Sequence, residues 1–89
     1  MIAAQPTLSD VGTLLLTIIQ ALVDHPDQVQ IRELEGAQAT VLEVQVAKSD
    51  HGKIVGRKGR TANAIREILC DLGGKRQRRY LLEILENRE

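Results

Sequence analysis

Apolar residues recur at helical spacing between residues 9 and 24. Ser9 or Asp10 can serve as the N-cap, and the helix ends near His25-Pro26 because proline disfavours a helical conformation in the residue before it. The apolar arc spans about 200°, which is wider than the buried stripe of an ordinary surface helix. Its members are Val11, Leu14, Leu15, Leu16, Ile18, Ile19, Leu22 and Val23. We therefore expect part of this helix to face a second chain.

Two runs of alternating apolar and polar residues follow and predict a β-hairpin with one apolar face. In the first run, Val29 and Ile31 alternate with polar residues, and Gly36 marks the turn. In the second run, the inward face consists of Thr40, Leu42, Val44 and Val46.

The next segment predicts a short helical turn, a glycine loop and a longer helix. Ser49 or Asp50 can cap the turn, which includes residues 53–55, and the loop at 56–59 interrupts it. The longer helix covers residues 60–72, and the glycine pair Gly73-Gly74 predicts its end.

Residues 80–84 are ambiguous from their own composition. Leucine and glutamate favour a helix, whereas three larger apolar residues on one face favour a third strand. Those three residues are Tyr80, Leu82 and Ile84.

Length and composition indicate one small globular domain. Eighty-nine residues suffice for one modest core but not for separate substrate and cofactor domains.

The apolar run at 11–23 is too short to span a bilayer, and no Lys or Arg precedes it as in a signal peptide. Cys70 is the single cysteine, so no internal disulfide is expected, and its apolar helical context predicts a small buried side chain. We expect a cytoplasmic protein without membrane insertion.

The formal net charge of zero conceals a segregated charge distribution. Residues 1–47 carry one cation and six acids, residues 48–79 carry ten cations and three acids, and residues 80–89 carry one cation and three acids. A local field attracts polyanions even when the total charge cancels. The glycine loop lies inside the basic segment, which favours a nucleic-acid partner.

The loop has the chemistry of a phosphate grip. Two glycines permit positive φ and remove the Cβ atoms that would hold a phosphodiester away from the backbone. The loop leads into a helix whose first N–H groups and dipole attract phosphate. Flanking cations would hold the sugar-phosphate backbone, and the aliphatic pair before the loop would offer surface for bases. The predicted nucleic-acid-binding residues are Lys53, Ile54, Val55, Gly56, Arg57, Lys58, Gly59 and Arg60.

Other chemistries fit the sequence poorly. A bare GxxG is a weak signal, because it also suits a plain helix-helix turn. The phosphate loop of nucleotide hydrolases is excluded, because it needs a glycine five residues before Gly59, where this chain has Ile54. His25 suits the helix-stop turn and His51 a cap or surface position, and neither has a cysteine or second histidine at ligand spacing. We expect no catalysis, no cofactor and no metal.

In this context the chain resembles the KH domain, and more closely the small single-KH bacterial RNA-binding proteins of the KhpA (YlqC-like) group. The resemblance rests on three stretches: ALVDHPDQVQIRELEG at 21–36, VLEVQVA at 41–47 and DHGKIVGRKGRTANAIREIL at 50–69. It implies an α+β, type II KH fold of order α-β-β-α-α-β, in which three helices pack on a three-stranded sheet and residues 80–85 form the third strand. The domain would occupy residues 9–86, between a flexible lead-in at 1–8 and a tail at 87–89.

The resemblance also implies a function. The loop at 56–59 would clamp the backbone of single-stranded RNA, Ile54 and Val55 would lie in or under an apolar groove, and the helix from Arg60 would form one wall. Relatives of this kind are expected to be cytoplasmic post-transcriptional regulators or RNA chaperones, linked to cell growth and shape, and to form homodimers or heteromers with a larger Jag-type KH protein. Two questions stay open at this point. The domain could instead be an interaction module with weak RNA binding, and the KRQRR segment at 75–79 could either extend the phosphate track or be a solvated loop.

Overall fold

The structure, a computed structural model, describes residues 8–86 of the chain. Its helices and strands are α1 (Asp10–Leu22), β1 (Gln30–Glu35), β2 (Ala39–Gln45), α2 (His51–Val55), α3 (Arg60–Arg76) and β3 (Arg79–Ile84). Single 3₁₀ turns precede β1, α2 and α3. The α+β class and the order α-β-β-α-α-β implied by the resemblance are confirmed.

The three strands form one mixed sheet in the order β1-β2-β3. β1 and β2 pair antiparallel, with Ile31 opposite Val44, whereas β2 and β3 pair parallel, with Leu42 opposite Leu82. A parallel pair needs a long crossover, and α2 and α3 supply it. Residues 80–84 are therefore a strand, as the resemblance implied and as their composition alone did not decide.

The helices cover one face of the sheet and enclose an aliphatic core. Among its side chains, the largest fully buried hydrophobic ones are Leu15, Ile19, Ile31, Leu42 and Ile54. These residues come from α1, both strands of the hairpin and α2, so the core joins the N-terminal half of the chain to the segment that carries the glycine loop.

Of the two predicted N-cap candidates of α1, the structure selects Ser9. Its hydroxyl accepts a hydrogen bond from the Gly12 N–H at 3.1 Å, and Glu33 of β1 in turn accepts from the Ser9 hydroxyl at 2.5 Å. The core covers only part of the wide apolar arc, because Leu14 and Leu22 remain 43% and 40% exposed.

The predicted end of α3 is wrong. The helix does not end at Gly73-Gly74 but continues to Arg76, and Gln77 terminates it in a left-handed conformation with φ 57°. Gly73 instead permits close approach, since a Cβ there would collide with the Arg78 carbonyl oxygen where the chain turns toward β3.

Cys70 is exposed rather than buried. The buried stripe of α3 is formed by Ala62, Ile65, Leu69 and Gly73, and Cys70 lies one residue, or about 100° of rotation, past this stripe.

The predicted lead-in and tail fall almost entirely outside the described residues. Leu8 alone belongs to the described part, and it packs against the core. Within residues 8–86, no helix has the length and apolar character needed to cross a membrane.

Candidate nucleic-acid interface

The glycine loop has an uncommon backbone conformation. Gly56 has φ 81° and ψ 171°, Lys58 has φ 57° and ψ 28°, and Gly59 has φ 74° and ψ 14°. The conformation of Gly56 is essentially restricted to glycine, and a Cβ there would lie 2.7 Å from the backbone nitrogen of Thr61. The predicted positive φ at both glycines is confirmed, whereas that of Lys58 was not foreseen.

The loop leaves the N-terminus of α3 open. The Gly59 N–H donates back to the Gly56 carbonyl oxygen at 3.1 Å, which closes the loop on itself. No side chain caps the N-terminus of α3, which is 17 residues long. The Arg60 N–H donates to the Arg57 carbonyl oxygen, so the other N–H groups at the start of the helix, together with the positive end of the helix dipole, are available to an anion.

Three of the four predicted cations are unpaired. Arg57, Lys58 and Arg60 are exposed, and their side chains form no hydrogen bond or ion pair with any other residue of the 8–86 segment. Lys53 differs, because its Nζ lies 3.3 Å from Asp24 Oδ2 and 3.7 Å from Asp50 Oδ1. Its charge is already shared with two carboxylates, so the unpaired cations of the predicted site lie in the loop and at the first residue of α3.

The two aliphatic residues before the loop take different places. Ile54 is fully buried in the core, with 0% exposure, and lies beneath the surface. Val55 is partly exposed and lines a groove beside the loop. Of the two, only Val55 offers surface on which a base could lie.

The groove beside the loop has a volume of about 460 Å³. We call it the loop groove. One wall comes from α2, the loop and α3, and the other comes from β2 and β3, which is an edge strand of the sheet. Residues that line it include Val55, Gly59, Ala62, Arg66, Leu81 and Ile84. Aliphatic side chains make up more than half of its lining, beside the polar side chains of His51, Arg66 and Glu83, and Gly59 belongs to the cationic loop.

A buried carboxylate that the sequence did not reveal holds this region in place. Asp50 does not cap α2, as was expected of Ser49 or Asp50, but is fully buried and accepts hydrogen bonds from the N–H groups of Asp24 at 3.2 Å and His25 at 2.9 Å. The His25 ring nitrogen Nδ1 lies 3.1 Å from the same carboxylate. These contacts tie the turn after α1 to the start of α2.

Burial and hydrogen bonding act in opposite directions on this carboxylate. Burial alone would raise the pKa of Asp50. The hydrogen bonds from the Asp24 N–H and from the ring and N–H of His25 together lower it by more, so the pKa lies below its ordinary value. No local pattern could have identified this residue, because its donors are about 25 positions away in the chain.

The KRQRR segment at 75–79 has divided roles. The Arg78 guanidinium donates to the Gly36 carbonyl oxygen at 3.2 Å and to Thr40 Oγ1 at 2.9 Å, and it lies 3.7 Å from a Glu35 carboxylate oxygen. Arg78 therefore joins the hairpin turn to the start of β3. Arg79, the first residue of β3, is exposed and forms no ion pair within the described part of the chain.

Neither histidine belongs to a metal centre in the part of the chain that the structure describes. His25 lies in the turn after α1, as predicted, and His51 is the first residue of α2. Within residues 8–86, no three His, Cys, Asp or Glu side chains are arranged to hold a metal ion.

Comparisons with known proteins identify a family to which the chain is similar. The family described as KhpA/KhpB, KH domain, matches residues 12–84. A relative from Borreliella burgdorferi, named RNA-binding protein KhpA, is 48% identical over 69 residues, which cover 78% of this chain and 84% of the relative. A protein of the same name from Clostridium acetobutylicum is 44% identical over 72 residues, which cover 81% of this chain and 96% of the relative. Another from Caldanaerobacter subterraneus is 42% identical over 74 residues, which cover 83% of this chain and 99% of the relative. No solved structure gives a significant match.

Proposed function

The chain belongs to the KhpA/KhpB KH-domain family, and on that premise we propose that it binds single-stranded RNA by gripping the backbone with the loop at residues 56–59. The family is non-enzymatic, in agreement with the sequence prediction, and its curated relatives are named RNA-binding proteins. The observation that carries the proposal is the loop itself, where positive-φ backbone, an uncapped helix and three unpaired cations meet beside an aliphatic groove.

Each predicted site residue has a distinct role in this proposal. The two glycines, Gly56 and Gly59, let the phosphodiester approach the backbone, and the cations Arg57, Lys58 and Arg60 neutralise its charge. Val55 supports a base in the loop groove. Ile54 and Lys53 act indirectly, since Ile54 anchors α2 in the core and Lys53 pairs with acids behind the loop.

The lining of the loop groove predicts that the protein binds RNA with little preference for base sequence. Tyr80 is the only aromatic residue of the chain, so bases rest on aliphatic surface instead of stacking on several rings. Phosphate contacts therefore supply most of the affinity. For single strands, each contact contributes about 0.7 to the exponent of the salt dependence, so binding should weaken steeply as salt rises. A flat salt profile would contradict a phosphate grip.

The direct test is the double substitution Arg57→Asp with Lys58→Asp. Both side chains are exposed, and aspartate tolerates the left-handed conformation at position 58 better than most residues, so the fold should persist. We expect at least a tenfold loss of affinity for single-stranded RNA at fixed low salt, with a salt exponent smaller by about 1.4.

A matched control makes the same change of charge elsewhere in the basic segment. Lys75→Asp with Arg76→Asp alters the exposed last turn of α3, outside the loop groove. The proposal requires the loop variant to lose much more affinity than this control in gel-shift titrations, with unchanged circular dichroism for both. Equal losses would show that only the overall field matters and that the loop is no clamp.

We further propose a cellular role as a post-transcriptional regulator or RNA chaperone in a bacterial cytoplasm, with effects on cell growth and shape; the names of the relatives support RNA binding itself. Crosslinking of RNA to the protein in living cells, followed by sequencing, tests this role. Wild-type protein should recover a reproducible set of transcripts, and the loop double variant should recover none above background. Equal recovery by both would contradict the proposed site.

Association with a second KH chain is the other candidate function, as a homodimer or as a heteromer with a Jag-type partner. The exposed leucines of α1, Leu14 and Leu22, favour it. Ile19 is a poor probe because it is completely buried, so Ile19→Glu should unfold the domain. Leu14→Glu with Leu22→Glu leaves the core intact and should lower the sedimentation mass of any dimer. An unchanged mass in a dimeric protein would remove α1 from the interface.

A further inference from the structure

The glycine loop contains one nucleophilic side chain among its cations, and we propose that Lys58 is a modification site for small acyl phosphates. Acylation by such a reagent converts the ammonium group into a neutral amide and weakens the grip of the loop on RNA. Two arginines of the same cluster, Arg57 and Arg60, attract the phosphate of the reagent. The inference rests on the proposed phosphate contacts of the loop and adds a chemical reaction that regulates them.

The surroundings of Lys58 differ from those of the nearest lysine in the sequence, Lys53. The amine of Lys53 lies 3.3 Å from Asp24 Oδ2 and 3.7 Å from Asp50 Oδ1. These carboxylates restrain the amine and repel an anionic reagent. Lys58 is exposed, and its side chain forms no hydrogen bond or ion pair with any other residue between positions 8 and 86. Its amine is therefore free to approach a bound acyl phosphate.

The remaining two lysines, Lys48 and Lys75, are exposed but lack the same electrostatic setting. No arginine occurs between residues 33 and 56, so Lys48 has no guanidinium close to it in the sequence. Lys75 has Arg76 beside it, but both lie in the last turn of α3, where the carbonyl end of the helix dipole disfavours anions. Lys58 thus combines arginines on both sides with the absence of a paired acid within the described residues.

The backbone of the loop holds Lys58 inside a closed turn. The Gly59 N–H donates to the Gly56 carbonyl oxygen at 3.1 Å, and residue 58 between them adopts φ 57° and ψ 28°. Apart from its chain neighbours, an added Cβ at Gly59 would have no atom nearer than 3.8 Å. A reagent that approaches Lys58 from this side of the loop therefore meets open space.

The arginines and the lysine of the cluster have different chemical roles. A guanidinium stays protonated, presents paired N–H donors that match a phosphate, and does not act as a nucleophile. A lysine amine becomes a nucleophile when it loses its proton. The clustered charges raise the local concentration of a small anion, and salt screens this effect. The arginines thereby hold the phosphate of the reagent while the amine of Lys58 reacts with its acyl carbon.

The reaction is an acyl transfer without any change of oxidation state. The neutral Nζ of Lys58 attacks the carbonyl carbon of the acyl phosphate and forms a C–N bond. The C–O bond to the phosphate breaks, its electron pair leaves with the phosphate, and water takes the proton from the nitrogen. The products are inorganic phosphate and an amide, which has lost the charge that attracts an RNA phosphate.

The experiment exposes the full chain to acetyl phosphate at low salt and pH ~8.5, where neutral amines are more abundant than at neutral pH. Mass spectrometry of peptides measures the early acetylation of each lysine. We expect Lys58 to react at least about tenfold faster than Lys48 and Lys75, because local charge raises the encounter rate of an anion by this factor or more. N-hydroxysuccinimidyl acetate, an uncharged reagent, should show no comparable preference. Equal rates at the three lysines with acetyl phosphate, or the same preference with both reagents, would overturn the inference.

Two double variants test whether the loop arginines recruit the reagent. Arg57→Gln with Arg60→Gln should slow acetylation of Lys58 by acetyl phosphate to the rate of the other exposed lysines, and should leave its rate with the uncharged reagent unchanged. Arg76→Gln with Arg79→Gln removes the same two charges elsewhere in the basic segment and should leave Lys58 unaffected. All four arginines are exposed, so both variants should keep the wild-type circular dichroism. Equal slowing of Lys58 in the two variants would contradict recruitment by the loop.

Acylation should weaken RNA binding by a defined amount. One phosphate contact of a single strand contributes about 0.7 to the salt exponent, so its loss at ~50 mM salt weakens binding about eightfold. Lys58→Gln, which removes the charge as acetylation does, should show this loss in anisotropy titrations with oligouridine, whereas Lys58→Arg should bind like the wild type. Equal affinities of these two variants would contradict regulation of the grip by acylation.

The outcomes separate this inference from the proposed function. Bound oligouridine should shield Lys58, but not Lys75, from both reagents, because the RNA backbone then occupies the loop. Selective acetylation of Lys58 without shielding by oligouridine would contradict the proposed RNA grip and support the acylation site. Shielding of Lys58 together with unselective acetylation of the free protein would overturn the inference and support the proposed function.

Discussion

The two loop glycines should respond very differently to alanine. At Gly56, with φ 81° and ψ 171°, an added Cβ would lie 2.7 Å from the Thr61 backbone nitrogen and 2.8 Å from the Thr61 Cβ. Real Cβ atoms essentially never approach this closely, and the obstacle is the backbone of α3 itself. At Gly59, with φ 74° and ψ 14°, the nearest atom is an Asn63 side-chain nitrogen 3.8 Å away. Only the left-handed conformation is strained there.

These contacts set the magnitudes. A non-glycine residue in the left-handed region costs about 1 kcal/mol, and one in the region that Gly56 occupies costs up to about 3 kcal/mol before any collision. Alanine also reduces the conformational entropy of the unfolded chain, which stabilises the folded state of each variant by about 0.4–1 kcal/mol. Gly59→Ala should therefore change the free energy of unfolding by less than about 1 kcal/mol, whereas Gly56→Ala should lower it by about 2–4 kcal/mol. For a domain of this size, the second loss corresponds to a Tm decrease on the order of 10–20 °C.

Thermal and urea denaturation followed by circular dichroism measure both effects. Each variant serves as the control for the other, because the substitution is identical and the sites are three residues apart. Gly59→Ala should also weaken RNA binding while folding normally, since Gly59 lines the loop groove and its new methyl group would obstruct the phosphodiester. If Gly56→Ala proved as stable as Gly59→Ala, the contact of Gly56 with the start of α3 would be refuted, and with it our account of the loop.

Two further predictions concern contacts behind the site. Asp50 has a pKa below its ordinary value of 3.8, so its carboxylate stabilises the fold at neutral pH, and this contribution is lost as the pH falls from about 4 through the lowered pKa. Asp50→Asn should therefore lower the free energy of unfolding at pH 7, measured by urea titration, and reduce its decrease as the pH falls below about 4. If the free energy of the variant fell with pH in parallel with that of the wild type, the lowered pKa of Asp50 would be contradicted. Arg78→Gln should cost about 1–3 kcal/mol through lost hydrogen bonds to the hairpin turn, whereas Arg76→Gln should cost almost nothing; equal urea midpoints for the two variants would contradict that role.

The sequence alone determined the features that depend on neighbouring residues. A cap at Ser9 or Asp10, the apolar spacing of α1 and α3, the alternation in the hairpin and the positive φ of the loop glycines all follow from local chemistry. The charge segregation and the GxxG context were sufficient to direct attention to the basic loop and to a resemblance that the family match then confirmed.

Only the tertiary structure decided features that depend on distant residues. Pairing with β2, about 40 positions earlier in the chain, made residues 80–84 a strand. Packing buried Ile54 and left Val55 at the surface, and it brought the distant Asp24 to Lys53 while the loop cations stayed unpaired within the described residues. Asp50 finds its donors at Asp24 and His25. Local spacing cannot encode such contacts, because they form only when segments far apart in the chain are brought together around one core.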